Sequence, residues 1–252
     1  MHRLAQSAKA GLRAAAGFVW PQRSILGDDY RGGQGPIEAQ DFARLHFLIG
    51  TGCRRCALPV EVDLGADSLC ARCLARPPRW DQARAALAYD DLSKRVVLDL
   101  KHAARRDGLK TMGNWLTLAA GDLLADTDAL IPVPLHYRRL ASRGFNQSAW
   151  LARALSKQSQ TPVLIDVLKR HRATASQAGL TARQRRRNVA AAFHVPKSKR
   201  KKIDGAHLAL VDDVYTTGST LSACTRALKQ AGAAQVHVLV LARVVRDADA
   251  TI

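Results

Sequence analysis

Leu208-Ala-Leu-Val-Asp-Asp-Val-Tyr-Thr-Thr-Gly-Ser-Thr220 runs from an apolar strand into two adjacent carboxylates, then into a loop of small hydroxyl-bearing residues that opens a helix. The flanking sequence completes a βαβ unit: a strand from His207 to Asp212, a helix from Thr220 to Ala231 with Gly232 as its C-cap, and a strand from Gln235 to Val244. This predicts an α/β fold with a largely parallel sheet flanked by helices.

The same string has legible chemistry. Backbone N–H groups of Thr216 to Thr220, with the hydroxyls of Thr216, Thr217, Ser219 and Thr220, surround a helix N-terminus where hydrogen bonds and the helix dipole stabilise a phosphate monoester. Gly218 lets the backbone approach the anion. Asp212 and Asp213 are unsuited to holding phosphate, but they suit sugar hydroxyls or Mg²⁺ met through water. A phosphate at one end and a diol at the other describe a ribose 5-phosphate. The Gly-x-x-x-x-Gly-Lys-Ser/Thr spacing of a P-loop is missing. The plainer alternative is a strand-turn-helix whose two acids serve only as caps.

Upstream, the pattern alternates strands and helices. We expect a strand at Ala85 to Tyr89, helices at Leu92 to His102 and Thr111 to Leu124, a strand at Ala129 to Val133, and a helix at Asn146 to Lys157. Beyond Pro162 come strand character, a basic mobile loop with a short helix near Thr181, a strand at Phe193 to Val195, and an exposed hairpin or loop at Lys197 to Lys202. Pro77-Pro78 marks a boundary, dividing the chain into 1–78 and 79–252. Met1 to Trp20, basic and Ala-rich with a Gly-interrupted apolar stretch, reads as an amphipathic helix in preference to a targeting peptide. No apolar run reaches the ~18 residues of a membrane span.

Five cysteines form two close pairs and a single. Cys53-Arg-Arg-Cys56 and Cys70-Ala-Arg-Cys73 present the four thiolates of a tetrahedral zinc site. Four protein ligands leave no open position, so this zinc is structural; a redox dithiol or a chance arrangement are the alternatives. Cys224 reads as a small buried hydrophobe. The cysteine usage favours a reducing, cytoplasmic setting.

The 252 residues carry a formal charge of +18, unevenly spread. From Arg138 to Lys202 there are 17 Lys/Arg and one acid, Asp166, a net of +16. A basic stretch in an otherwise near-neutral chain points to a local anionic partner, whether phosphate, pyrophosphate or nucleic acid. The few aromatics in or beside it, Tyr137, Phe145, Trp150 and Phe193, imply nucleic-acid binding that is mainly electrostatic.

In its ordered motifs the chain resembles the ComF/GntX family of competence-associated, type I phosphoribosyltransferase-like proteins. The motifs are Cys53 to Cys73, Leu98-Asp-Leu-Lys-His102, Ile131-Pro-Val-Pro-Leu-His136, Arg143-Gly-Phe-Asn-Gln147, Ser176-Gln-Ala-Gly-Leu180, Arg185-Arg-Arg-Asn188 with Ala192-Phe193, and the loop above. The resemblance implies an N-terminal zinc ribbon. It also implies a phosphoribosyl-pyrophosphate (PRPP) site with Mg²⁺ at Asp212, Asp213, Thr216, Thr217, Gly218, Ser219 and Thr220. Ile131 to Pro134 would form the pyrophosphate turn, Arg170 to Asn188 a lid, and Lys101 and Arg143 would be candidate stabilisers of the leaving group. The activity implied is 5-phosphoribosyl transfer to an acceptor with release of pyrophosphate. The alternative is a non-catalytic adaptor of DNA uptake and recombination, with single-stranded DNA or a DNA-uptake protein as partner. Where the family commonly carries a second cysteine set, this chain has Ser24, Gly27, Glu38 and Asp41. One zinc per chain is therefore expected, with a hard-metal site at Glu38 and Asp41 the alternative.

Overall fold

Four parallel strands, β1 (Ala83–Ala88), β2 (Ala129–Pro132), β5 (His207–Tyr215) and β6 (Gln235–Arg243), form a sheet in the order β1-β6-β5-β2. The description rests on a computed structural model and covers residues 25–26, 37–50, 52–60, 68–102, 108–171 and 192–245. The expected N-terminal helix, the lid residues from 172 to 188, the helix near Thr181, and Ser24 and Gly27 lie outside those residues.

The register is continuous: His207 pairs with Gln235 and Tyr215 with Arg243 across β5 and β6, and Ala129 with Leu208 across β2 and β5. Side-chain alternation sends Leu208 and Leu210 to one apolar layer and Ala209 and Val211 to the other. On one face pack helices α3 (Asp91–His102), α4 (Leu109–Ala120) and α6 (Gln147–Ser159), through Val96, Leu100, Trp115, Leu116, Leu151 and Leu155. On the other face lies α7 (Ser219–Lys229), with the antiparallel pair β3 (Lys169–Arg170) and β4 (Phe193–His194). Both faces are covered, as a parallel sheet requires.

Local chemistry explains the helix starts. Asp90 accepts from the N–H groups of Leu92 and Ser93, and Ser93 Oγ accepts from the Asp90 N–H in return, a reciprocal cap on α3. Asn146 accepts from Ser148 N–H at the start of α6. A Cβ at Gly113 would stand 2.9 Å from the Ala154 carbonyl, so glycine is what allows α4 and α6 to approach closely.

Several expectations are revised. β5 runs to Tyr215, three residues past Asp212, so the acid pair lies within the strand. The helix expected over Thr111 to Leu124 ends at Ala120 and tightens into a 3₁₀ turn, Gly121–Leu124. A short helix, α5 (Tyr137–Arg143), was hidden by its polar composition; the His136 side chain caps it, and Gly144 ends it at φ +79°. Lys197–Lys202 is a 3₁₀ helix in place of a hairpin or loop. Just after Pro162 the chain makes an isolated bridge, Val163 to Leu130, and strand pairing resumes at Lys169–Arg170.

The cysteine region is continuous with the core. Cys53, Cys56, Leu58 and Cys73 share one apolar cluster with Trp80, β1, β5 and α7. The second knuckle lies on a short helix, α2 (Ala71–Ala75), after α1 (Ala39–Phe42) earlier in the chain. Among the described residues the first knuckle is a turn and the second begins at the N-terminus of α2, while residues 61–67 between them lie outside the described residues. No described helix is long and apolar enough to cross a membrane.

Candidate functional site

β2 ends at Pro132 opposite Val211, so β5 continues past its neighbour and the sheet opens at its carboxyl edge. A cavity of about 270 Å³ occupies this opening. Asp212 and Asp213 line its floor; Thr216, Gly218, Ser219 and Thr220 line one side; Lys101, Arg139, Arg143 and Arg170 are among its other lining residues. Ligands of open α/β sheets bind at such carboxyl ends.

Each carboxylate has its own partners. Ser148 donates to Asp212 Oδ1 at 2.8 Å, and the Asp213 N–H donates to the same oxygen at 3.0 Å. Asp213 Oδ2 receives Lys101 Nζ at 2.8 Å and Gln147 Nε2 at 3.3 Å. Gln147 Oε1 in turn accepts from Arg143 at 2.8 Å, linking the basic wall to the acidic floor. Burial first, then the charge of Asp213, pushes the Asp212 carboxyl up to about 7; the Ser148 and Asp213 hydrogen bonds and Lys101 oppose that rise. Near neutral pH Asp212 is therefore only partly ionised.

The hydroxyl loop turns on Gly218, the N-cap of α7 at φ +73°. A Cβ there would meet Trp80 Cη2 at 2.7 Å and Tyr215 Cε2 at 2.9 Å, so this position excludes side chains by both conformation and space. Thr217 Oγ1 hydrogen-bonds to Ser219 Oγ at 2.9 Å. Thr217 does not line the cavity, unlike the other four loop residues expected there.

The basic wall depends on α5. His136 is buried and accepts from Arg138 N–H through Nδ1, which requires a neutral ring. Burial and the charges of Arg170, Arg138 and Arg139 hold its pKa below the ordinary histidine value. The capped helix aims Arg139 and Arg143 at the cavity. Lys101 and Arg143, expected on the resemblance, thus stand in the cavity with the acid pair. Ser148 and Arg139 carried no individual signal in the sequence, because a serine within a helix and one arginine among many look ordinary.

The four cysteines fit a metal. Their sulfurs all lie within 4.8 Å of one another, with Cys56 and Cys70 at 3.6 Å. A tetrahedral Zn²⁺ with bonds of about 2.3 Å requires sulfurs about 3.8 Å apart. Crowding makes the thiols unequal: hydrogen bonds from Cys56 and Cys73 pull Cys53 down, while the bond to Cys53 and burial push Cys56 up to about 12. A divalent cation bound by all four would relieve that conflict. Among the described residues this is the one cluster of three or more candidate ligands. Asp41, in the place of an expected family cysteine, pairs with Arg44 at 3.5 Å.

Residues 131–250 match the phosphoribosyl transferase domain model. DNA utilization protein YhgH of Escherichia coli O157:H7 is 35% identical over 198 residues, 77% of this chain and 84% of that protein. Competence protein F of Haemophilus influenzae is 35% identical over 179 residues, 69% of this chain and 78% of that protein. Competence protein ComFC of Bacillus subtilis is 25% identical over 209 residues, 80% and 81% of the two chains. A solved glutamine PRPP amidotransferase from B. subtilis overlaps 56% of this chain and 30% of its own at 20% identity and a TM-score of 0.38, too loosely to assign a reaction. With a third of its residues shared over most of both lengths, the chain belongs to the bacterial family that includes DNA utilization protein YhgH and competence protein F.

Proposed function

We propose that the cavity binds a phosphoribosyl compound, PRPP with Mg²⁺, and that this binding serves a role in DNA utilization. The observation that carries the proposal is the convergence, in one cavity, of a hydroxyl-lined helix N-terminus, an acid pair, and Arg139 and Arg143. The 5-phosphate is held at Thr216, Gly218, Ser219 and Thr220, with Thr217 supporting the turn, and the ribose hydroxyls donate to Asp212 and Asp213. Mg²⁺ supplies charge neutralisation at the pyrophosphate. Arg139, Arg143 and Lys101 are the side chains suited to the same task, and displacement of pyrophosphate at the anomeric carbon is the transfer this arrangement supports.

A second reading is a non-catalytic adaptor in which the same cavity senses a phosphoribosyl compound while the basic surface holds single-stranded DNA or a DNA-uptake protein. It is favoured by the relatives, which are named for DNA utilization and competence, and by Lys197, Arg200, Lys201 and Lys202 on one exposed 3₁₀ helix. Calorimetry with PRPP and Mg²⁺ tests the cavity: binding heat that is lost in Asp212→Ala/Asp213→Ala supports it, and no heat with the parent protein overturns it. Release of pyrophosphate with candidate acceptors then separates transfer from sensing.

A further inference from the structure

The phosphate loop and the cysteine knuckle meet through three buried side chains. Arg243, the last residue of β6, is 1% exposed. Its Nε donates to the carbonyl of Cys56 at 3.1 Å, while one terminal nitrogen donates to the carbonyls of Tyr215 at 3.2 Å and Thr216 at 3.0 Å. The guanidinium lies over the Tyr215 ring, 3.9 Å from its centre. Trp80 makes the second link: its indole N–H donates to the Arg55 carbonyl at 2.6 Å, and its ring meets Tyr215 edge-on at 5.4 Å. Tyr215 is the third, because Gly218 sits directly against Trp80 and Tyr215.

Metal ligands and anion loop are therefore one packed unit. A guanidinium presents several donors in a fixed fork, so it cannot satisfy the Cys56 carbonyl and the Tyr215 and Thr216 carbonyls together unless both backbones hold their places. If the knuckle opens, Arg243 loses its anchor on Cys56, and Thr216 and Gly218 lose the surface on which they turn. Packed interiors pass on such displacements because they have few alternative arrangements.

We infer that Arg243 is a positioning residue that couples the metal state of the Cys53–Cys73 cluster to the order and affinity of the phosphate loop. The affinity arm rests on the proposed phosphoribosyl reading; the loop-order arm does not. Coupling of this kind usually amounts to between about fivefold and 150-fold, and it is reciprocal. Ribose 5-phosphate should therefore tighten metal binding by the same factor as metal strengthens ribose 5-phosphate binding.

The test uses the full chain, zinc-loaded and chelator-stripped, alongside zinc-loaded Arg243→Met and Arg243→Lys. Hydrogen exchange is read at the amides of residues 215–220, calorimetry measures ribose 5-phosphate binding, and metal analysis checks that the variants keep their zinc. Stripping the parent, or Arg243→Met with zinc retained, should speed exchange in 215–220 at least fivefold and weaken ribose 5-phosphate by a similar factor. Arg243→Lys, which keeps a donor, should restore part of both. If Arg243→Met unfolds, zinc-loaded Arg243→Lys against the parent and stripping of the parent decide the matter by the same two readouts. Unchanged loop exchange after stripping, or in zinc-loaded Arg243→Met, overturns the coupling even where ribose 5-phosphate binds well. Zinc-dependent loop exchange when neither ribose 5-phosphate nor PRPP with Mg²⁺ binds supports the coupling and overturns the phosphoribosyl reading.

Discussion

Lys101, near the end of α3, and Asp213, inside β5, form a 2.8 Å ion pair in which the lysine is about a quarter exposed and the aspartate almost fully buried. Lys101 is thus a cation that offsets the charge of the acid pair. Replacing it with Met leaves two adjacent carboxylates against each other. Lys101→Met should lose about 1–2 kcal/mol of stability at pH 8, where Asp212 has lost its proton, and less at pH 5, where Asp212 keeps it. Thermal unfolding at the two pH values checks this. An equal loss at both would show that the lysine acts through packing.

Asp212→Asn separates stability from binding. A carboxyl whose folded pKa of about 7 lies above its ordinary 3.8 holds its proton more tightly in the folded chain. Stability contributed by this group therefore falls as pH rises from about 4 to about 7, then levels off. The asparagine removes that penalty. It should unfold a few degrees above the parent at pH 8, about 1 kcal/mol, and match it near pH 4. PRPP binding should weaken at least tenfold in the same variant, because one acceptor for the ribose hydroxyls is lost.

Gly218→Ala tests the hydroxyl turn. The added methyl group would face Trp80 and Tyr215 within 3 Å at a backbone angle that only glycine adopts freely. A cost of about 1–3 kcal/mol is expected, together with loss of ribose 5-phosphate binding by calorimetry. Thr217→Ala, outside the cavity lining, should keep binding within a few-fold of the parent. A reversed order of effects would mean that the loop does not meet the ligand as proposed.

Metal content is predicted at one zinc per chain. Cys73→Ser should lower that content and reduce thermal stability by several degrees, because Cys73 is buried in the cluster that also packs β1, β5 and α7. Elemental analysis with a parallel melting curve measures both. A chain that melts identically with and without zinc would place the cysteines outside the stabilising core.

Charge reversal of Lys197, Arg200, Lys201 and Lys202 tests the polyanion surface. Lys199 is left out because it pairs with Asp166, whose carboxyl it holds below the ordinary range. Single-stranded oligonucleotide binding at low salt should fall at least tenfold, and the slope of log affinity against log salt should shrink by about 0.7 per lost phosphate contact. Binding that survives the reversal would move the interface elsewhere.

Local pattern alone carried the βαβ unit, the glycine turn and the cysteine quartet, because each is written within a short stretch whose spacing dictates its geometry. The length of β5 was read three residues short: two charged residues look like a strand end until the open edge beyond Pro132 shows where they can project. α5 was missed because its apolar face is slight and its cap is a histidine. The site's remaining parts were decided by tertiary structure. Ser148 and Gln147 reach the acid pair across 64 and 66 residues, and Arg243 reaches Cys56 across 187. No window of sequence contains both partners of such a contact, and it is the closing of the sheet between two helical layers that brings them within hydrogen-bonding distance.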